Sequence, residues 1–197
     1  MIDVRRAVDR DAAALARLHA ESLPSSMLSM LGIGALERFY RFALANETVW
    51  AAADGETVVG GCVLSEAPHS VLSRFARHAP FALSRDLATA VVSNGHLRRR
   101  LAGRFRDAKR AASDGAHAPE VTQIFTDARR RGEGIGAKLL RTCEETLRNR
   151  GVRKYFVHTE RDDNEAGIRF YRREGFVPVT ESHSFGQAFL VMQKDLA

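Results

Sequence analysis

Glycine takes every second position in the run Arg131-Gly132-Glu133-Gly134-Ile135-Gly136-Ala137. Residues 121–126 before it are β-branched and aromatic, which suits a buried strand, and residues 127–131 form a charged turn. After it, Ile135, Leu139, Leu140, Cys143 and Leu147 recur at helical spacing up to Arg150, and Gly151 suits a C-terminal cap. A strand, a glycine-rich turn and a helix in that order make a cradle for a phosphate. Without Cβ atoms the backbone can approach closely, and the helix start offers unpaired N–H groups and the positive end of a dipole. Residues 129–131 also read as a solvated arginine turn, but Arg131 adjoins the first glycine and is the one placed to meet an anion.

Two other phosphate binders compete for this run. Gly132, Gly134 and Ala137 satisfy the dinucleotide fingerprint, in which the third glycine is sometimes alanine. A dinucleotide-binding strand runs almost directly into its first glycine, however, whereas here residues 127–131 intervene. No strand–helix–strand repeat of that type precedes the unit either. A Walker loop fails because no Lys-Ser or Lys-Thr follows the glycines.

The elements that must hold this cradle alternate along the whole chain. Residues 2–6 read as a first strand, and residues 12–21 as a helix that Asp9 or Asp11 can cap. A second helix fits residues 33–45. The link between them, residues 22–32, is rich in Ser, Met and Leu and is expected to pack over the core or over a substrate pocket. Asp54-Gly55 joins two strands as a hairpin, and Gly60 and Gly61 in the second imply a bulge or a close backbone approach. Residues 66–118 break the alternation with helical stretches at 71–77, 83–92 and 96–112. Arg98, Arg99, Arg100, Arg104, Arg106, Lys109 and Arg110 crowd into the last. Beyond the cradle come a strand at 154–160, a short helix at 164–174 that Asn164 can cap, and a final hairpin at 176–181 and 187–194. This is an α/β order with a mixed sheet.

At 197 residues the chain suits a single domain, 1–197, carrying an insertion. Hydrophobic content of 45% is ample for a packed core and argues against disorder. Cys62 and Cys143 lie far apart in sequence without metal-ligand company, which suits buried thiols in a reducing compartment and no metal site. No leader-like start and no apolar run of spanning length is present, so a cytoplasmic location with no membrane partner is expected. A net charge of +6 fits a polyanion, a phosphorylated cofactor or a solvated basic surface.

Two segments together resemble the GNAT superfamily of acyl-CoA-dependent N-acyltransferases. Arg131-Gly132-Glu133-Gly134-Ile135-Gly136 is similar to that family's pyrophosphate-binding pattern. Asn164, Phe170-Tyr171 and Gly175-Phe176 resemble its next motif, with Gly167 where the family often has Ala. The resemblance is loose over residues 2–64 and close over 120–194. It implies a mixed, mostly antiparallel sheet flanked by helices. It also implies transfer of an acetyl group from acetyl-CoA to a primary amine by direct attack in a ternary complex. One departure stands out: roughly fifty residues separate the third and fourth strands, where the family usually has a short turn. This helical insertion reads equally well as decoration, or as a lid, acceptor pocket or polyanion surface.

The resemblance assigns roles by position. Gly132, Glu133, Gly134, Ile135, Gly136 and Ala137 would hold the diphosphate, with Arg131 at the entry. Ile124, Phe125 and Thr126 would pair with the pantetheine arm as an added strand does, with Asn164, Gly167 and Phe170 also on the cofactor. Glu120 would take the amine's proton, directly or through a water, with His117 and His158 as alternative bases. Tyr171 would face the sulfur. A phenol near 10 is a weaker acid than a thiol near 8.5, so full proton donation is uphill by about 2 kcal/mol, and a hydrogen bond to the forming thiolate is the easier role. Glu120 also reads as a solvated carboxylate and Tyr171 as packing beside Phe170. A non-catalytic acyl-CoA-binding regulatory module is the alternative function. Nucleic-acid binding by the 98–110 arginines is the third, and the single aromatic among them, Phe105, argues against it. The acceptor and any homodimer stay open at this level.

Overall fold

A computed structural model describes residues 1–93, 95, 118–184 and 187–196. Seven strands form one sheet: β1 (Ile2–Arg6), β2 (Thr48–Asp54), β3 (Thr57–Ser65), β4 (Glu120–Thr126), β5 (Lys154–Glu160), β6 (Val177–Ser184) and β7 (Gln187–Asp195). Their order is β1-β2-β3-β4-β5-β7-β6, and every neighbouring pair is antiparallel except β4 with β5. Helices α1 (Ala12–Ser22), α2 (Met27–Met30) and α3 (Ile33–Asn46) follow β1. Helices α4 (Pro68–His78) and α5 (Pro80–Ser93) stand between β3 and β4, α6 (Ile135–Asn149) between β4 and β5, and α7 (Glu165–Arg173) between β5 and β6. The mixed, mostly antiparallel sheet expected from the sequence is present, with helices flanking it.

Alternation along the strands builds two cores. On one face Val49, Ala51, Val63 and Phe125 meet Leu15, Leu36, Phe39 and Tyr40 of α1 and α3. On the other, Cys62, Leu64, Val121, Tyr155 and Val157 meet Ile135, Leu139, Leu140, Cys143 and Leu147, the apolar stripe of α6. Cys62 and Cys143, far apart in sequence, thus face each other with their sulfurs 3.3 Å apart. Gly61 shows why a side chain is excluded on β3: a Cβ there would lie 2.5 Å from Leu15 and 2.8 Å from the Phe125 ring.

Four details depart from the sequence expectations. Neither Asp9 nor Asp11 caps α1 through its side chain. Asp11 takes the N-cap position, but its carboxylate accepts from Arg5 at 2.7 and 2.9 Å and from the Val8 N–H at 2.8 Å. A two-pronged charged pair outcompetes a single cap bond. Asn164 likewise precedes α7 without capping it by its side chain. The residues 22–32 linker packs on the core through Leu28, as expected, but does so from a short helix, α2, capped by Ser26, that the spacing did not indicate. The final hairpin strands are longer than the spacing indicated. The helical stretch expected at 96–112, its arginines and His117 lie outside the described residues.

The start of the insertion packs on α3. Phe75 of α4 meets Phe39 and Phe42 edge-on or tilted, Arg74 pairs with Glu47, and Arg38 of α3 pairs with Asp86 of α5.

Candidate active site

The parallel pair at the centre of the sheet is brief. β4 and β5 are in register only at Glu120 with Phe156 and Val121 with Val157, extended by a bond from the Phe156 N–H to the Pro119 carbonyl at 3.0 Å. β4 stays paired with β3 as far as Thr126, with a bulge at Thr122 where the partner register jumps from Val63 to Leu64. A bulge bends its strand and sharpens the local twist, and here it coincides with the point where β4 leaves β5. The Asp127 N–H reaches the Val59 carbonyl on β3 at 2.8 Å. By alternation, Ile124 and Thr126 turn their backbone groups the other way, into the gap. The Thr126 carbonyl accepts from the Ser22 hydroxyl at 2.9 Å.

This gap continues into a cleft of about 830 Å³. Its walls include Ile124, Phe125 and Thr126 of β4, the glycine turn and first residues of α6, and Asn164, Gly167, Phe170 and Tyr171 of α7. Gly132 and Gly134 have φ of +88° and +75°, the left-handed region that other residues reach only with strain. A Cβ on either would meet no protein atom within 4 Å, so their open sides front the cleft. The first bond of α6 runs from the Lys138 N–H to the Gly134 carbonyl at 3.0 Å. The N–H groups of Ile135, Gly136 and Ala137 therefore lack helical acceptors, as the first turn of a helix must.

The turn's charges sort themselves. Arg129 is held by Asp127 at 2.7 Å, and its hydrogen bond pulls that carboxyl down to about 2. Arg130 bridges Glu133 at 2.7 Å and Asp54 at 3.2 Å. Glu133 stands outside the cleft wall, and its N–H donates to the Arg130 carbonyl at 3.4 Å. Arg131 lines the cleft and has no acidic partner among the described residues.

On α7, the Asn164 side chain donates to the Thr159 hydroxyl at 2.7 Å and the Glu160 carbonyl at 3.2 Å, tying the helix start to β5. It lies so close over Gly167 that a Cβ there would come 2.6 Å from its Oδ1. Phe170 packs on the Gly136 backbone, where a Cβ would sit 3.2 Å from the ring. The close approach of α7 to the cradle thus rests on two glycines. Tyr171 is 8% exposed, and no described residue hydrogen-bonds its hydroxyl. Burial first, then the nearby Cys62 and Glu120, push its phenol above the ordinary value.

Glu120 stands outside the cleft wall at the fork of β4 and β5, where its Oε1 lies 3.0 Å from His158 Nδ1. The structure thus unites two residues the sequence offered as alternatives. Sequence reasoning missed Ser22, Leu23, Thr159, Arg169 and Arg173 in the wall. Ala166, Arg169, Phe170 and Arg173 share one helical face, a spacing that could have identified the last two. Leu23 and Ser22 carried no signal, because only the tertiary contact with Thr126 brings them there. No group of three or more His, Cys, Asp or Glu side chains suited to a metal occurs among the described residues. No described helix is long and apolar enough to cross a membrane.

The chain belongs to the acetyltransferase (GNAT) family, whose sequence pattern matches residues 15–176. Over 46 residues it is 44% identical to N-alpha-acetyltransferase 30 of Schizosaccharomyces pombe, a segment that covers 23% of this chain and only 30% of that relative. Among solved structures, a GNAT-family protein of Desulfovibrio desulfuricans matches with a TM-score of 0.64 at 15% identity, over 100% of both chains. A ribosomal-protein-alanine N-acetyltransferase of Brucella melitensis matches with 0.62 at 19%, over 98% of this chain and 99% of its own. Salmonella typhimurium yncA, solved with its cofactor acetyl-CoA, matches with 0.59 at 16%, over 100% and 94%. At such identities the likeness is one of fold.

Proposed function

We propose that the protein transfers an acetyl group from acetyl-CoA to a primary amine in a ternary complex. One observation carries the reading: the β4 edge that β5 leaves free and an α6 start whose N–H groups have no acceptor among the described residues line the same cleft. An arm with amide groups followed by a diphosphate needs such a sequence of partners. The residues fit that group, since the open sides of Gly132 and Gly134 leave the cradle clear and Arg131 is a cation with no acidic partner among the described residues.

Acetyl-CoA supplies an activated thioester. The N–H groups of Gly132, Gly134, Ile135, Gly136 and Ala137 hold the diphosphate, with Arg131 countering its charge. Backbone groups of Ile124 and Thr126 pair with the amide-bearing arm, Phe125 anchors the strand in the core, and Asn164, Gly167 and Phe170 form the opposite wall. The acceptor ammonium loses its proton on the Glu120 side of the fork, and its nitrogen attacks the carbonyl as the C–S bond breaks. Tyr171 donates a hydrogen bond to the departing sulfur. Because burial raises its phenol, it stays protonated at neutral pH and serves as a donor without giving up the proton.

The test has two parts. Acetyl-CoA at 100 times its Kd stabilises the protein by about 2.7 kcal/mol, which raises Tm by roughly 5–10 °C for a chain of this size. Gly134→Asp, a carboxylate in the cradle, removes the shift. Thiol release is then measured over peptides with free α-amino groups, polyamines and amino acids. Absence of a Tm shift in the parent protein overturns the cofactor assignment. A shift without thiol release from any acceptor favours the acyl-CoA-binding regulatory module instead.

A further inference from the structure

We propose that His158 is the base of this site, its Nε2 taking the acceptor's proton, and that Glu120 is a positioning residue acting through Nδ1. This rests on the acetyl-transfer reading above and divides its deprotonation step between two side chains.

The sheet brings the pair together. Glu120 is in parallel register with Phe156, and side chains alternate, so Glu120, Phe156 and His158 share one face. Glu120 is the more enclosed partner, its side chain 12% exposed against 32% for His158. The carboxylate accepts only, so a 3.0 Å contact to Nδ1 selects the tautomer with its proton there. The lone pair is then on Nε2, and no described residue hydrogen-bonds that nitrogen. A base needs such a free, oriented lone pair, whereas the Glu120 oxygen nearest the fork is occupied by the ring. Glu120 stands where β4 parts from β5, at the head of the gap that continues into the cleft.

The electrostatics agree. Burial pushes the His158 imidazole down, but the hydrogen bond and charge of Glu120 outweigh it, and the net shift is upward. The other charged group beside it on this face of β5 is Glu160, whose Oε1 already accepts from Ser25 at 2.8 Å and Gln187 at 3.2 Å. The facing β7 residues, Phe189, Val191 and Gln193, are uncharged, as is Ser65 of β3 opposite Glu120.

The step balances. One N–H proton of the acceptor ammonium passes to Nε2, giving an imidazolium held against the Glu120 carboxylate. The freed nitrogen pair forms the N–C bond to the acetyl carbonyl, the C–S pair leaves on sulfur, the nitrogen gives up its second proton to that thiolate as the neutral amide forms, and the imidazolium returns the first proton to solvent.

The experiment compares the parent protein, His158→Gln and Glu120→Gln by thiol release with the fastest amine of the panel, alongside the acetyl-CoA Tm shift. His158→Gln is expected to lower kcat by about 10²- to 10³-fold with the Tm shift retained. Glu120→Gln is expected to cost about tenfold and to move the acidic limb of the kcat/KM profile to lower pH. His158→Ala regains rate with added imidazole. Turnover of His158→Gln within threefold of the parent, with Glu120→Gln inactive, overturns the proposal and makes Glu120 the base while the transferase reading stands. If the parent neither binds acetyl-CoA nor releases thiol, that reading fails by itself. The pair is then judged by the His158 ring titration in NMR, where an unchanged midpoint in Glu120→Gln overturns it.

Discussion

The Tyr171 hydroxyl fronts the cleft from a side chain that is otherwise enclosed, and no described residue hydrogen-bonds it. Removing it therefore leaves no buried partner unsatisfied, the usual source of a large stability loss. Tyr171→Phe is expected to keep Tm within about 2 °C and the acetyl-CoA affinity within twofold, while kcat falls about 10- to 100-fold. An unchanged kcat would remove the tyrosine from the reaction. Residue types and spacing were enough to single out Arg131 and the glycines, and the likeness to the GNAT motif singled out Tyr171, because each belongs to a local pattern. They left Glu120 and His158 as alternatives, since a contact between strands is invisible to spacing along one chain.

At the scale of elements, α1 is pressed closely against β3. Gly61 is the point of closest approach, under Leu15 and Phe125, both fully or nearly buried. Gly61→Ala must displace one of them, and overpacking of this kind costs about 1–3 kcal/mol. Urea denaturation checks the cost: a C_m below the parent's at unchanged slope is expected, and an unchanged C_m would show that the layers yield freely. Periodicity located α1, α3, α6 and α7 because their apolar stripes face one layer each. It placed the bulge or close approach at Gly60 and Gly61 for the right physical reason, the lack of a Cβ. It failed at caps: Asp11 and Asn164 have cap chemistry, but Arg5 in one case and Thr159 with Glu160 in the other hold their side chains more strongly.

For the whole molecule, the pH dependence of stability follows from His19, which sits between the helix layer and the sheet. It is fully buried, with Nδ1 2.8 Å from the Tyr40 hydroxyl and Nε2 2.9 Å from the Ser26 hydroxyl, and burial lowers its pKa to about 4. The unfolded chain, near 6.5, binds the extra proton first. The His19 contribution is therefore complete above pH 6.5 and is lost as pH falls toward 4, by about 3 kcal/mol in all. His158 does not oppose this loss in that window, because its raised pKa lies above it. Asp11 and Asp127, held below the usual carboxylate range by Arg5 and Arg129, add their losses only at lower pH. Urea denaturation of the parent between pH 7 and 4 should show the slope. His19→Gln should be less stable at pH 7 and much flatter; an equally steep variant would exclude His19 as its source.

The order of the strands and longer helices and the glycine turn ahead of α6 were determined by sequence alone, since each is a pattern within one segment, set by backbone freedom and helical or strand period, while the motif on α7 was found through its likeness to the GNAT superfamily. Only the tertiary structure decided where β4 parts from β5, which arginine of the turn lacks a partner, that Cys62 meets Cys143, and that Glu120 bonds His158. These depend on register and charge pairing between segments distant in sequence, and a one-residue change of register would place each side chain on the opposite face of the sheet.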